Sequence, residues 1–90
     1  MRLDLFLKRC CIVRRRSDAK RACNNGIVRV DGRPAKAGRT VQPGQRISIS
    51  FVDRHLEFDV VELPRGNVSR SDARRYYCVV SDEMREMADF

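Results

Sequence analysis

The sequence predicts an α+β fold in which an amino-terminal basic helical hairpin packs on a small, mostly antiparallel sheet of four to five strands. Two periodic patterns of apolar residues predict this fold. Apolar residues before Gly26 recur every three or four positions, as in an amphipathic helix, and those after Gly26 recur every second position, as in a half-buried strand. Glycine-containing turns separate the strand-like segments, and such short turns join antiparallel neighbours.

The first helix is predicted over residues 2–13. Its apolar residues follow the spacing i, i+3, i+4 and i+7, which places them on one stripe that faces the core. These residues are Leu3, Phe6, Leu7 and Cys10. Arg2, Lys8 and Arg9 lie off the stripe and are expected to face solvent or a ligand.

A second, shorter helix is predicted from Ser17 to Asn25. Serine is a residue type that caps helix starts, and Gly26 ends the helix because glycine adopts the left-handed conformation of a helix end at least cost. Small residues form the buried face of this helix, namely Ala19, Ala22 and Cys23. Because small residues permit close approach, the two helices are expected to form a compact hairpin whose exposed side is basic.

The sheet is predicted from segments in which apolar and polar residues alternate. Their inward positions are Val28, Val30, Ile47, Ile49, Phe51, Leu56, Phe58 and Val60. A last strand is predicted from Tyr76 to Val80. Turn-forming pairs separate the segments at Asp31-Gly32, Pro43-Gly44 and Asp53-Arg54.

Residues 1–80 are expected to form a single domain whose core motif occupies about residues 1–50. Ser69 followed by Asp72 resembles a capping box, in which side chains bond the backbone N–H groups of a first helical turn, and it predicts one such turn. Four acidic residues follow Val80, so residues 81–90 are expected to form an acidic, flexible tail.

Charge is segregated along the chain. Residues 1–50 hold 13 Lys and Arg against 3 Asp and Glu, whereas residues 51–90 hold 6 against 9. Charge serving solubility alone would be interspersed, so this segregation indicates a polyanionic partner. No apolar run of eighteen residues and no signal-peptide pattern occurs, so a cytoplasmic protein that binds no membrane is expected.

The four cysteines show no metal-ligand spacing, so no metal and no cofactor is expected. Cys10, Cys23 and Cys78 are expected to be buried free thiols, which is typical of a reducing compartment. The single His55 falls on the polar face of a predicted strand. Acid–base and nucleophilic catalysis need convergent groups that this chain lacks, so it is not expected to be an enzyme.

The basic half predicts an RNA-binding surface. Arginine offers planar, multi-donor recognition of phosphate, and RNA is recognised largely by shape, phosphate and 2′-hydroxyl contacts. The block Arg14-Arg15-Arg16 stands at a helix start, which concentrates charge on a rigid corner. The predicted cationic RNA contacts are Arg2, Lys8, Arg14, Arg15, Arg16, Lys20, Arg21 and Lys36.

Asp4 is an acid within this basic surface, and two interpretations remain open. It pairs locally with Lys8 at spacing i, i+4, or it holds a neighbouring arginine in position for RNA. Asp4 is therefore included among the predicted site residues.

An ordered set of residues also carries a family resemblance. The run Arg2-Leu3-Asp4 with Phe6-Leu7 is followed by Arg15-Arg16-Ser17, Ala19-Lys20, Gly26, Val28-Arg29-Val30-Asp31-Gly32, Lys36, Val41, Pro43-Gly44 and Ile47. This set resembles the S-four RNA-binding domain, named after small ribosomal subunit protein four, over about residues 1–50. In length and opening residues the chain is similar to the stand-alone RqcP family of ribosome-associated quality control, and to the amino-terminal part of the heat-shock protein fifteen family.

The resemblance implies a binding factor for the large ribosomal subunit carrying an obstructed peptidyl-tRNA. Its expected partners are the rRNA of that subunit, the peptidyl-tRNA and an RqcH-type protein, with which it would support carboxy-terminal tailing of stalled chains. A monomer is expected. The alternatives are a heat-shock-type recycling factor for obstructed large subunits, or a module for another structured RNA such as a tRNA or a messenger.

Overall fold

The computed structural model describes residues 1–84 and confirms the α+β fold. Within these residues, helices α1 (Leu3–Arg9), α2 (Arg16–Asn24) and α3 (Arg70–Ala73) accompany one five-stranded sheet. Its strands are β1 (Val28–Val30), β2 (Arg33–Pro34), β3 (Arg46–Ser50), β4 (Arg54–Val60) and β5 (Tyr77–Met84). Among the described helices, none has the length and apolar character needed to cross a bilayer.

The sheet has the order β2-β1-β3-β4-β5, and every neighbouring pair is antiparallel. Asp31 and Gly32 join β1 to β2 with φ angles of 51° and 83°, the two left-handed residues that a two-residue hairpin turn requires. At the second predicted turn Gly44 has a φ of 91°, and the Gln45 N–H donates to the Gln42 carbonyl at 3.3 Å. The turn predictions at these glycines are confirmed.

The core lies between the two amino-terminal helices and one face of the sheet. The predicted stripe of α1 is fully buried, and the rings of Phe6 on α1 and Phe58 on β4 stack with centroids 6.4 Å apart. Tyr77 on β5 meets Phe58 edge to face at 5.2 Å. The predicted inward positions of β1, β3 and β4 are also buried, whereas Phe51 is only half-buried because it lies beyond the end of β3.

Helix α1 ends at Arg9, so the prediction that it continues to residue 13 is wrong. The Cys11 N–H donates to the Lys8 carbonyl and the Ile12 N–H to the Leu7 carbonyl, which is the bonding pattern of a Schellman helix end. That pattern needs a left-handed residue, and here Cys11 takes the role with a φ of 58°. Because the usual glycine is absent, the sequence did not reveal this end.

Two predicted helix caps are also wrong in their details. Helix α2 starts at Arg16 with Arg15 as its N-cap residue, so Ser17 lies inside the helix. Ser69 does precede α3, but its side chain bonds no backbone N–H group of the helix. Its hydroxyl donates instead to an Asp72 carboxylate oxygen at 3.1 Å. The helical turn exists, whereas the capping box does not form.

The last strand continues four residues beyond the predicted end at Val80, to Met84. Strand β4 pairs with it along this length, and an ion pair of 2.8 Å between Arg54 and Asp82 joins the two strands. Residues 85–90 of the predicted tail lie outside the described residues. Cys78 is exposed, not buried as predicted, because its register partner is Asp59 on the polar face of β4.

The left-handed Cys11 generates a stability prediction. A residue other than glycine in this conformation costs on the order of 1–3 kcal/mol, and glycine in the unfolded chain costs about 0.5–1 kcal/mol of entropy. Cys11→Gly should therefore raise the free energy of unfolding by about 1 kcal/mol. Urea denaturation measures it. Cys11→Ala is the control, since it removes the thiol but keeps the unfavourable φ, and a Cys11→Gly variant less stable than Cys11→Ala would contradict the prediction.

Candidate nucleic-acid interface

Asp4 lies at the centre of the candidate interface. It is in the first turn of α1 with 1% of its surface exposed, and among the described residues it is the one buried charged side chain. Its Oδ1 accepts the Leu5 N–H at 2.8 Å. A buried carboxylate is stable only when it is hydrogen-bonded and paired with cations, so the surroundings of Asp4 must supply both.

Two arginines supply the cations. Arg2 donates from Nε to Asp4 Oδ1 at 3.2 Å and from Nη2 to Oδ2 at 3.4 Å, and Arg16 donates from Nε to Oδ2 at 3.4 Å. The side chains of Arg2 and Arg16 remain 51% and 50% exposed. Asp4 therefore orients two guanidinium groups whose remaining N–H donors face solvent. We call these three residues the Asp4 cluster.

The cluster decides between the two interpretations of Asp4. Asp4 pairs with Arg2 and Arg16, and not with Lys8, so local pairing along α1 is wrong. Arg16 is twelve positions away and starts α2, so the carboxylate connects the two helices of the hairpin. The structure shows that Asp4 positions Arg2 and Arg16. Contact between these arginines and RNA remains a prediction.

The start of α1 is fixed by the segment of residues 37–41. Because no side chain caps this helix start, the Leu3 N–H donates to the Arg39 carbonyl at 2.8 Å and the Asp4 N–H to the Ala37 carbonyl at 3.2 Å. The Val41 N–H donates in turn to the Met1 carbonyl. This pairing joins the start of α1 to the segment that carries the exposed Lys36 and Arg39, and the sequence analysis did not name Arg39.

The remaining predicted cations lie at separate places on the molecule. Lys8 and Arg14 line a cleft that also contains Arg9 and Arg70. Arg21 lines a second cleft, of about 260 Å³, together with apolar residues that include Phe51. The structure therefore joins three of the nine predicted site residues in one bonded cluster. Three further predicted residues are exposed and line neither cleft: Arg15, Lys20 and Lys36.

The outer face of the sheet has a different electrostatic character, because two of its cations, Arg46 and Arg54, are paired with aspartates. Arg46 donates to Asp59 at 2.9 Å, and this hydrogen bond lowers the pKa of the Asp59 carboxyl and raises the pKa of Arg46. His55 lies between Ser50 at 3.1 Å and Glu57 at 3.3 Å, and it lines neither cleft.

The cysteines divide into two pairs. Burial raises the pKa of Cys10 to about 12, helped by the neighbouring Cys11 charge, and burial together with the charge of Asp4 raises the pKa of Cys23 to about 11. Cys10 and Cys23 are therefore buried neutral thiols, as predicted, while Cys11 and Cys78 are exposed. Over residues 1–84, no three His, Cys, Asp or Glu side chains form a group that could hold a metal ion.

Comparison with known proteins shows the family to which this chain belongs. The S4 domain family matches residues 1–47, the part of the chain that contains the Asp4 cluster. The RQC P-site tRNA stabilizing factor of Bacillus subtilis is 31% identical over 83 residues, which cover 92% of this chain and 95% of that relative. The chain belongs to the S4 domain family. The factor of the same name from Helicobacter pylori (strain 26695) is 36% identical over 77 residues, which cover 84% of this chain and 92% of that relative.

Two solved structures are similar to this chain in fold. Heat Shock Protein 15 of Vibrio cholerae superimposes with a TM-score of 0.83 over 90% of this chain and 82% of its own, at 22% identity, which shows a shared fold. The solution structure of a hypothetical protein that is 34% identical gives a TM-score of 0.78 and covers 92% of this chain and all of that one. Both matches extend well beyond residues 1–47.

The burial of the thiols predicts a labelling pattern. At about pH 8 iodoacetamide should modify Cys11 and Cys78 quickly, whereas Cys10 and Cys23 should react only after unfolding, because they are buried and protonated. Mass spectrometry counts the additions. Cys78→Ser is the control and should remove one fast addition. Four fast additions to the folded protein would contradict the prediction.

Proposed function

We propose that this protein binds the large ribosomal subunit carrying peptidyl-tRNA after stalling, and supports carboxy-terminal tailing of the nascent chain in ribosome-associated quality control. Its support is a relative named RQC P-site tRNA stabilizing factor that aligns with 92% of the chain. The observation that carries the proposal is the Asp4 cluster, because it presents two oriented guanidinium groups on the part of the chain matched by the S4 domain.

The cluster suits the backbone of folded RNA. Each guanidinium uses part of its donor fork on Asp4 and keeps its other N–H groups for a second acceptor, such as a phosphate oxygen or a 2′-hydroxyl. Because the carboxylate holds both side chains in place, less rotamer entropy is lost when RNA binds. Ion pairing to Asp4 also leaves a net positive charge on the cluster, which attracts phosphate.

The other predicted residues extend this surface. Lys8, Arg14, Arg15, Lys20, Arg21 and Lys36 are proposed as further RNA contacts. We propose that the protein acts in the cytoplasm as a monomer and a non-enzymatic factor, with the rRNA of the large subunit, peptidyl-tRNA and an RqcH-type protein as partners. Phe6, the one aromatic residue in the sequence of residues 1–50, is buried and stacks on Phe58, which favours recognition by shape and phosphate over stacking of unpaired bases.

Arg16→Gln tests the Asp4 cluster. Glutamine removes the charge without placing a second carboxylate next to Asp4, which retains Arg2 and the Leu5 N–H as partners. Loss of a charge-assisted contact should weaken binding to subunits bearing peptidyl-tRNA by about 1.5–3 kcal/mol, or at least about tenfold. Co-sedimentation measures the occupancy, and a melting curve checks that the variant is folded.

Arg33→Gln is the matched control, because Arg33 is an exposed arginine on strand β2 that belongs to no predicted contact. It removes the same charge and should weaken binding by no more than about twofold. If Arg16→Gln and the control retain equal occupancy, the Asp4 cluster is not the binding site. If wild type binds empty and tRNA-bearing subunits equally well, the protein is a general ribosome binder and the quality-control proposal fails.

A further inference from the structure

A second basic feature lies at the carboxyl end of α1. The turn that follows α1 and the connector that precedes α3 enclose a cleft of about 190 Å³. Four cationic side chains line it, and no acidic residue does: they are Lys8, Arg9, Arg14 and Arg70. Arg70 comes from the carboxy-terminal half of the chain, so only folding brings it to the others. We call this feature the basic cleft.

The cations of the basic cleft are not neutralised by the protein. Within residues 1–84, none of the four makes an ion pair, whereas Arg46 and Arg54 on the sheet are each paired with an aspartate. Crowding four like charges around one concave space is unfavourable unless a counter-charge enters it. An anion in the cleft would meet several donors at once, in a setting less screened than an open surface.

The unusual helix end contacts both walls of the cleft. Cys11, in its left-handed conformation, directs its Sγ toward the Val68 carbonyl at 3.8 Å and the Arg9 carbonyl at 3.9 Å. This contact joins residues 57 positions apart and connects the two sides of the cleft. The amide side chain of Asn67 also lines the cleft and offers uncharged hydrogen-bond donors.

We propose that the basic cleft binds a backbone phosphate of RNA, as a second contact point on the same strand or helix that the Asp4 cluster binds. This proposal rests on the proposed function. Asp4 and Lys8 are separated by four residues of α1, or about 6 Å along its axis, so one RNA backbone reaches both. No aromatic ring lines the cleft on which a base could stack, which favours a backbone phosphate over a free nucleotide.

The test compares two charge-matched double variants. Arg9→Gln with Arg70→Gln removes two cations from the basic cleft, and neither residue belongs to the Asp4 cluster. Arg74→Gln with Arg75→Gln removes two exposed cations that directly follow α3 and do not line the cleft. Binding to large subunits bearing peptidyl-tRNA, and to an RNA hairpin of unrelated sequence, is measured over a series of KCl concentrations, and melting curves establish that both variants are folded.

The cleft variant should bind about tenfold more weakly, and its plot of log affinity against log salt should be shallower by about 1–2, since each lost phosphate contact removes close to one unit of slope. The control should remain within about threefold, with an unchanged slope. Equal behaviour of the two variants on both RNAs would overturn the proposal. So would saturable binding of inorganic phosphate in the cleft, seen by NMR, combined with unaltered RNA binding, because the cleft would then be a small-anion site.

The outcome is separable from that of the proposed function. If wild type does not bind ribosomal subunits, the proposed function fails, and the RNA hairpin still decides the cleft. If wild type binds subunits and loses affinity on Arg16→Gln, but the two double variants behave alike, the proposed function stands and the cleft proposal is wrong.

Discussion

The buried carboxylate of Asp4 is the constraint on which the helical hairpin depends. A charge with 1% exposure cannot rely on water, so its oxygens must be satisfied by the Leu5 N–H and the guanidinium groups of Arg2 and Arg16. These bonds fix the start of α1 against the start of α2. Because Asp4 is buried, loss of its cationic partners would leave an uncompensated charge in the protein, and the same ion pairs orient the two half-exposed arginine side chains.

Acidic partners are distributed differently on the sheet and on the helical hairpin. On the sheet, Arg46 and Arg54 meet aspartates across neighbouring strands, and their charge is cancelled locally. On the hairpin, the one buried acid serves two arginines, and the cations of the basic cleft have no acidic partner within residues 1–84. The helical hairpin therefore keeps positive charge without an acidic partner, within the part of the chain that the S4 domain matches.

Local patterns predicted most of the fold. The stripe of α1, the alternation of β3 and β4, and the turn at Asp31-Gly32 follow from periodicity and glycine conformation, which are visible in a few neighbouring residues. Features that depend on tertiary pairing were missed. The continuation of β5 to Met84 depends on pairing with β4, and Arg70 joins the basic cleft only through folding. The early end of α1 was missed for a local reason, because Cys11 takes the left-handed conformation in which a glycine is usual. Arg16 was predicted as an RNA contact from its residue type and its place in a basic block. Its bond to Asp4, twelve positions away, depends on how the two helices pack.

A double-mutant cycle tests whether Asp4 positions Arg16 for RNA. Asp4→Asn retains an acceptor for the Leu5 N–H and removes the charge that holds the guanidinium groups. Affinity for large subunits bearing peptidyl-tRNA is measured for Asp4→Asn, Arg16→Gln and the double variant. Each single change should weaken binding. The double variant should lose less affinity than the sum of the two single losses, by a coupling energy of about 1–2 kcal/mol, although Asp4→Asn still releases Arg2 in the double variant. Additive losses, or an Asp4→Asn variant that binds as well as wild type, would contradict the account.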